Sequence, residues 1–134
     1  MDIIRSTMID NFLIINCIGK DDKLGLRINK DFFIHLLQKK KNMSDYLVSD
    51  ILEFLEKHKA KLDQSFSVIV NQGPGSFVGI RNALAVAKGL EISKKVRLFG
   101  FKNNDLKHFD QENIEKLFNA KLIEKKLIKP VYLS

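Results

Sequence analysis

Sulfur and metal chemistry are almost missing from this chain. It has one cysteine, Cys17, so no internal disulfide can staple it, and a lone thiol suits a reducing compartment such as the cytosol. Apolar neighbours around Cys17 point to a buried thiol rather than a reactive one. The histidines are three and scattered. His35, His58 and His108 show no metal-site spacing, and no Asp/Glu or Ser/Cys stands near them in a recognisable catalytic arrangement. No run of eighteen apolar residues occurs, so no segment reads as a membrane span. The opening residues, Met1-Asp2-Ile3-Ile4-Arg5, lack the apolar stretch of a signal peptide. These absences together lead us to expect a cytoplasmic protein without a metal. Internal repeats and low-complexity linkers are absent too.

What is present suits one domain. The 134 residues are 45% hydrophobic, enough for a real core. The net charge is +7, from 23 Lys+Arg against 16 Asp+Glu, which allows long-range attraction to RNA or to an acidic partner. The lysines are dispersed, with short runs at Lys39-Lys40-Lys41, Lys94-Lys95 and Lys125-Lys126, and aromatic residues do not interleave with them as a base-stacking platform needs. A solvated lysine-rich surface is the simpler reading.

Hydrophobic patterning organises the chain. Phe12 to Cys17 is a near-continuous apolar run, as in a buried strand. Gly19-Lys20-Asp21-Asp22 is turn chemistry. Leu24, Leu26 and Ile28 alternate with Gly25, Arg27 and Asn29, as on a strand with one buried face. Phe32 to Leu37 reads as a third strand or a helical turn, and the three make an antiparallel meander. Ser44 is placed to cap a helix over residues 44–57, with Leu47, Val48, Ile51, Leu52 and Leu55 on one face. Tyr46 and Phe54 widen that face, and Glu53 and Glu56 point to solvent. A strand (Phe66 to Val70), a helix over 79–92 with Gly89 weakening its end, and a strand (Arg97 to Phe101) follow. Such a strand–helix–strand order implies parallel pairing. A short helix within 104–119 puts Ile114, Leu117 and Phe118 on one side.

The most specific string is Gly73-Pro74-Gly75-Ser76-Phe77-Val78-Gly79-Ile80-Arg81, set between a strand and a helix. Gly73 and Gly75 bracket a proline and permit positive φ or close backbone approach. Two uses are open: a tight strand-to-helix connection, or a phosphate cradle at a helix N-terminus. The spacing G-x-G-x-x-x-G matches neither the dinucleotide fingerprint nor the P-loop, and no Gly-Lys-Ser/Thr follows.

This string closely resembles the GPGSFTGLR signature of the TsaB (YeaZ) family, with Val78 in place of threonine and Ile80 in place of leucine or valine. Ala87-Lys88-Gly89-Leu90 matches the family's A-K/Q-G-L, and Leu98-Phe99-Gly100-Phe101 matches its next strand. Leu13-Ile14-Ile15-Asn16-Cys17 falls where the family has L-A-I-D-T, and Met43-Ser44-Asp45 where it has H-S/T-E/Q. Lys129-Pro130-Val131-Tyr132-Leu133-Ser134 is similar to the family's C-terminal ending. The resemblance covers about residues 12–103. It implies an α/β fold: a single actin-like (ASKHA, ribonuclease-H-like) lobe, order βββαβαβ, with a mixed sheet and a short C-terminal helix/strand remnant. On this reading residues 1–11 are an N-terminal extension, 12–103 the lobe, and 104–134 a vestigial segment left by loss of most of a second lobe.

The same resemblance implies a function. TsaB proteins are regarded as the non-catalytic partner subunit in forming N6-threonylcarbamoyladenosine on tRNA, beside a catalytic TsaD subunit and a TsaE-like ATPase. It implies a pseudo-enzyme with no cofactor that binds a TsaD-like transferase, self-associates as a homodimer through the same face, and meets tRNA indirectly. A paired-helix interface is implied, which we expect to use Tyr46, Leu47, Asp50, Phe54, Ala83, Val86, Ala87 and Leu90. Actin-like enzymes carry a metal-positioning aspartate where this chain has Asn16, and family members carry histidine where it has Met43. Neither substitute is a good acid, base or magnesium anchor. Two alternatives stand beside the scaffold: a small enzyme binding nucleotide weakly through Gly73 to Gly79, and a degenerate paralogue acting as a dimeric adaptor.

Overall fold

A computed structural model describes residues 11–37 and 43–120. Three strands open it: β1 (Asn11–Asn16), β2 (Lys23–Ile28) and β3 (Asp31–Leu36). The β1–β2 and β2–β3 pairs are antiparallel, with Ile15 opposite Leu24 and Leu26 opposite Phe33. The third segment, which allowed a strand or a helical turn, is therefore a strand. Helix α1 (Met43–Lys57) follows, then β4 (Phe66–Asn71), α2 (Phe77–Lys94), β5 (Arg97–Phe101), a 3-10 turn (Asn103–Asp105) and α3 (Gln111–Asn119). One mixed sheet results, in the order β3-β2-β1-β4-β5, with β4 parallel to both β1 and β5. This is the α/β architecture and element order expected of a single actin-like lobe.

Strand alternation divides the core into two layers. Leu13, Ile15, Leu24, Leu26, Val68, Val70 and Leu98 face α1 and α2, while Phe12, Ile14, Ile69, Phe99 and Phe101 face α3. Each such side chain removed from water contributes roughly 1.5–3 kcal/mol. β4 is buried along its whole length because it is central and covered on both faces, which explains its unbroken apolar run. α3 starts at Asp110, whose side chain accepts from the Asn113 amide at 2.8 Å, and it buries Ile114, Leu117 and Phe118. Arg27 of β2 donates to Glu115 of α3 at 2.8 Å and ties that helix across the sheet.

The helix faces differ from the sequence reading. In α1 the buried stripe is Leu47, Ile51, Phe54 and Leu55, whereas Val48 and Leu52 are 43% and 49% exposed. Phe54, read as widening the stripe, is its centre, and it lies 5.2 Å from the ring of His58. His58 itself stacks on Phe33 of β3 at 3.9 Å, beyond the helix-end role its position suggests. α2 extends two residues past the expected helix at each end, so Gly89 lies well inside it. β1 opens at Asn11, whose side chain accepts from the Asn29 amide. Residues 1–10, the side chains of Met43 and Ser44, and the ending from Lys129 to Ser134 lie outside the described residues.

Candidate functional site

The glycine-rich loop sits where β1, β4 and β5 end, and the amides of Gly73, Ser76 and Gly79 help to hold it there. Gly73 takes φ +96°, a left-handed conformation in which a side chain is strained, and its amide donates to Asn71 Oδ1 at 2.9 Å. The Gly73 carbonyl accepts from the Asn103 amide at 2.8 Å. Pro74 and Gly75 are half-buried and cross under the β1–β2 hairpin. Gly75 does not use positive φ: a Cβ there would stand 2.8 Å from Ile18 Cβ and 2.9 Å from the Ile18 carbonyl oxygen. Close approach, the second of the two roles open to it, is the reason for that glycine.

Ser76 locks the loop to the hairpin and starts the helix. Its amide donates to the Ile18 carbonyl at 2.7 Å, and its hydroxyl accepts from the buried Gly79 amide at 3.2 Å as the cap of α2. The Ile80 amide donates to the Ser76 carbonyl. Phe77 and Val78 are 52% and 58% exposed, and the Arg81 guanidinium lies 5.1 Å from the Phe77 ring centre.

Beneath the loop lies a chain of side-chain amides that the sequence did not announce. Buried Asn71 donates to Asn16 Oδ1 at 2.6 Å and to Asn103 Oδ1 at 3.0 Å. Asn16, read in the sequence as a lost metal anchor, is thus bound into a neutral network linking the ends of β1, β4 and the segment after β5. The signal was present in three asparagines at strand ends, but their meeting depends on sheet order. Carboxamides carry no charge to hold a divalent cation. The amides of Gly73, Ser76, Gly79 and Ile80 already have protein acceptors. The residues present therefore do not fit a metal–phosphate group, and no chemical step follows through one. Among the described residues no three His, Cys, Asp or Glu side chains gather as a metal ion needs. Cys17 is fully buried, and its thiol is pushed well above the ordinary range, first by burial and then by the nearby Asp22 carboxylate.

A second feature lies on the outer side of the helix pair. Val48 and Leu52 of α1, with Asn82, Ala85, Val86 and Gly89 of α2, line an apolar groove of about 570 Å³. Most of the interface residues expected from the sequence are not on it. Leu47, Phe54, Ala83 and Ala87 are buried in the chain's own core at 1%, 6%, 0% and 0% exposure. Their apolar or small side chains face the sheet, and small residues let α2 lie close to β4 and β5. Leu90 is 7% exposed and Val86 half-buried, both at the groove, while Tyr46 is exposed and Asp50 borders a different cleft beside β3. α3 covers the opposite face of the sheet, so it does not fill this groove.

Comparison with known proteins agrees with the sequence signature. No protein-family model matches the chain. It is 41% identical over 51 residues to the tRNA threonylcarbamoyladenosine biosynthesis protein TsaB of Buchnera aphidicola subsp. Baizongia pistaciae, covering 38% of this chain and 23% of that protein. It is 32% identical over 77 residues to the protein of the same name from Buchnera aphidicola subsp. Acyrthosiphon pisum, covering 56% and 35%. Its fold is similar to that of YeaZ from Pseudomonas aeruginosa, with a TM-score of 0.65 at 14% identity over 84% of this chain and 50% of that one. The matches thus span about a quarter to a third of the curated relatives and half of the solved structure.

Proposed function

We propose, from its similarity to TsaB (YeaZ) proteins, that the chain is a non-catalytic subunit in the synthesis of N6-threonylcarbamoyladenosine on tRNA, binding a TsaD-like transferase through the outer side of α1 and α2. The observation that carries this is the open apolar groove between those helices, with Val48, Leu52 and Val86 at its wall. A helix pair that already buries one side against its sheet and keeps apolar groups on the other has a surface suited to a partner. The non-catalytic part of the reading rests on the loop: the amides of Gly73, Ser76, Gly79 and Ile80 are engaged within the fold, and the side chains of Asn16, Asn71 and Asn103 beneath it are carboxamides without acid–base capacity. A TsaE-like ATPase belongs to the same proposed assembly, and tRNA meets the chain only indirectly.

Titration of the purified chain with the TsaD-like subunit of the same organism tests the proposal. Complex formation is expected, with Leu52→Glu and Val48→Glu weakening it at least tenfold while circular dichroism stays unchanged. Wild-type affinity in both variants would remove the helix pair as the partner site. The isolated chain is expected to show no ATP hydrolysis and no threonylcarbamoyl transfer. Turnover that vanishes in Asn16→Ala would instead favour the enzyme reading.

A further inference from the structure

Both helices of the groove end at one side of the molecule, and that side is basic. α1 and α2 each return from the C-terminal to the N-terminal ends of the strands, so their last turns lie together. The segments that end α1 and α2 and open β5 carry Lys57, Lys59, Lys61, Lys94, Lys95 and Arg97, against Glu56, Asp63 and Glu91. Lys57 and Lys94 stand in the last turns, where a cation offsets the helix dipole. Lys61 and Arg97 lie beyond either helix and have no such role. A polar cleft of about 460 Å³ opens between Asp63, Gln64, Ser65, Lys94 and Lys95. Lys94 lines this cleft and the apolar groove alike, so the two adjoin at its side chain.

The carboxylate in the cleft is already engaged. Asp63 Oδ1 accepts from the Ser65 hydroxyl at 2.6 Å and from the Ser65 amide at 2.8 Å. Those two bonds hold its carboxyl below the usual carboxylate range, and the nearby charges of Lys61 and Arg97 act in the same direction. Among the described residues Lys61, Lys94, Lys95 and Arg97 form no ion pair. Arg97 adds charge from beneath, with its Nη1 buried and without an acceptor. A concave surface of one charge sign attracts an anionic partner over a long range. No aromatic side chain lines the cleft, so it offers bases nothing to stack on. An apolar groove with a charged rim is instead the anatomy of a protein–protein contact.

Taking the groove as the seat of the TsaD-like subunit, we propose that this subunit presents an acidic surface to the cleft, its carboxylates meeting Lys61, Lys94 and Lys95 as its apolar residues enter the groove. Charge at the rim steers encounter and fixes which end of the partner lies at Lys94, while the groove holds the complex once formed.

Association and dissociation rates with the TsaD-like subunit, measured over a salt series from about 0.05 to 0.5 M, test this. Association is expected to slow at least tenfold across the series, with dissociation little changed. The double variant Lys61→Glu/Lys95→Glu, off the groove, is expected to associate at least tenfold more slowly at low salt and to lose the salt dependence, with an unchanged melting curve. Leu52→Ala in the groove should do the reverse, speeding dissociation and leaving the salt dependence intact. A complex whose association ignores salt, or a double variant that associates like the wild type, overturns this proposal and leaves the functional one standing. No complex at any salt overturns both. Binding of a tRNA transcript at about 0.15 M salt that the double variant loses, while its association with the TsaD-like subunit is unchanged, would give the cleft to a phosphate backbone instead.

Discussion

Two glycines in this chain answer to different demands and a third to neither, and the contrast predicts mutants of opposite sign. Gly75 is fixed by contact: valine there would press on the Ile18 backbone of a separate hairpin. We expect Gly75→Val to lower stability by about 1–3 kcal/mol in urea denaturation, from overpacking rather than from a strained φ. Gly73 is fixed by its left-handed φ. Gly89 is fixed by neither, since a Cβ on it would meet nothing within 4 Å. Gly89→Ala should therefore raise stability by roughly 0.5–1 kcal/mol, the usual gain of alanine over glycine inside a helix. If the groove receives a partner helix, the same change weakens that complex, and the two measurements separate folding from recognition. Cys17 behaves as a core residue. Its raised pKa and complete burial predict no reaction with a thiol reagent in the native state and full reaction in denaturant.

Each helix is held by a different device. α2 combines the Ser76 cap with a buried stripe of Ile80, Ala83, Leu84, Ala87 and Leu90. α3 has nine residues, too few for independent stability, and depends on its cap, on Arg27–Glu115 and on burial of Ile114, Leu117 and Phe118. Asp110 is held below the usual carboxylate range, chiefly by the Asn113 backbone amide and then by the Asn113 side chain. A carboxylate with a depressed folded pKa stabilises the fold above its unfolded pKa, and that contribution is lost as pH falls through the folded value. The protection of α3 amides, their exchange rate relative to an unstructured chain at the same pH, should therefore fall below about pH 4, the ordinary carboxylate range. In Asp110→Ala protection should be low at neutral pH and show little further acid dependence. Protection in the wild type that stays constant from pH 6 to pH 3 would show that the cap does not hold this helix.

For the whole molecule, the two-layer core decides which surfaces are free. Ala83→Glu, at a residue the sequence reading placed in the interface, would put a carboxylate into a fully buried contact between α2 and the sheet. We expect it to cost more than about 3 kcal/mol and to yield little folded protein, measured by circular dichroism and thermal melting. Leu52→Glu, exposed at the groove, should melt within about 0.5 kcal/mol of the wild type, as surface changes do, while Val86→Glu, half-buried against the core, should cost about 0.5–3 kcal/mol. No described helix is long and apolar enough to cross a membrane.

Local information in the sequence determined the elements. Alternation in β2, the unbroken run in β4 and the glycine-rich string between β4 and α2 are readable because strand period, burial on both faces and turn chemistry act over a few residues. The string was also enough to indicate the similarity to TsaB proteins. The helix faces were not determined in this way. α1 carries apolar residues at 47, 48, 51, 52, 54 and 55, wide enough to point either side to a core, and its rotation was set by packing against β3 and α2. Ala83 and Ala87 suit a partner helix or a close-lying sheet equally well, and only the sheet's position selected between them. Asn16, Asn71 and Asn103 are remote in sequence, and it is the strand order β1-β4-β5 that brings their side chains within hydrogen-bonding distance. Residue chemistry sets local conformation within a turn or two of chain, while accessibility and long-range polar pairing exist only after the layers have closed.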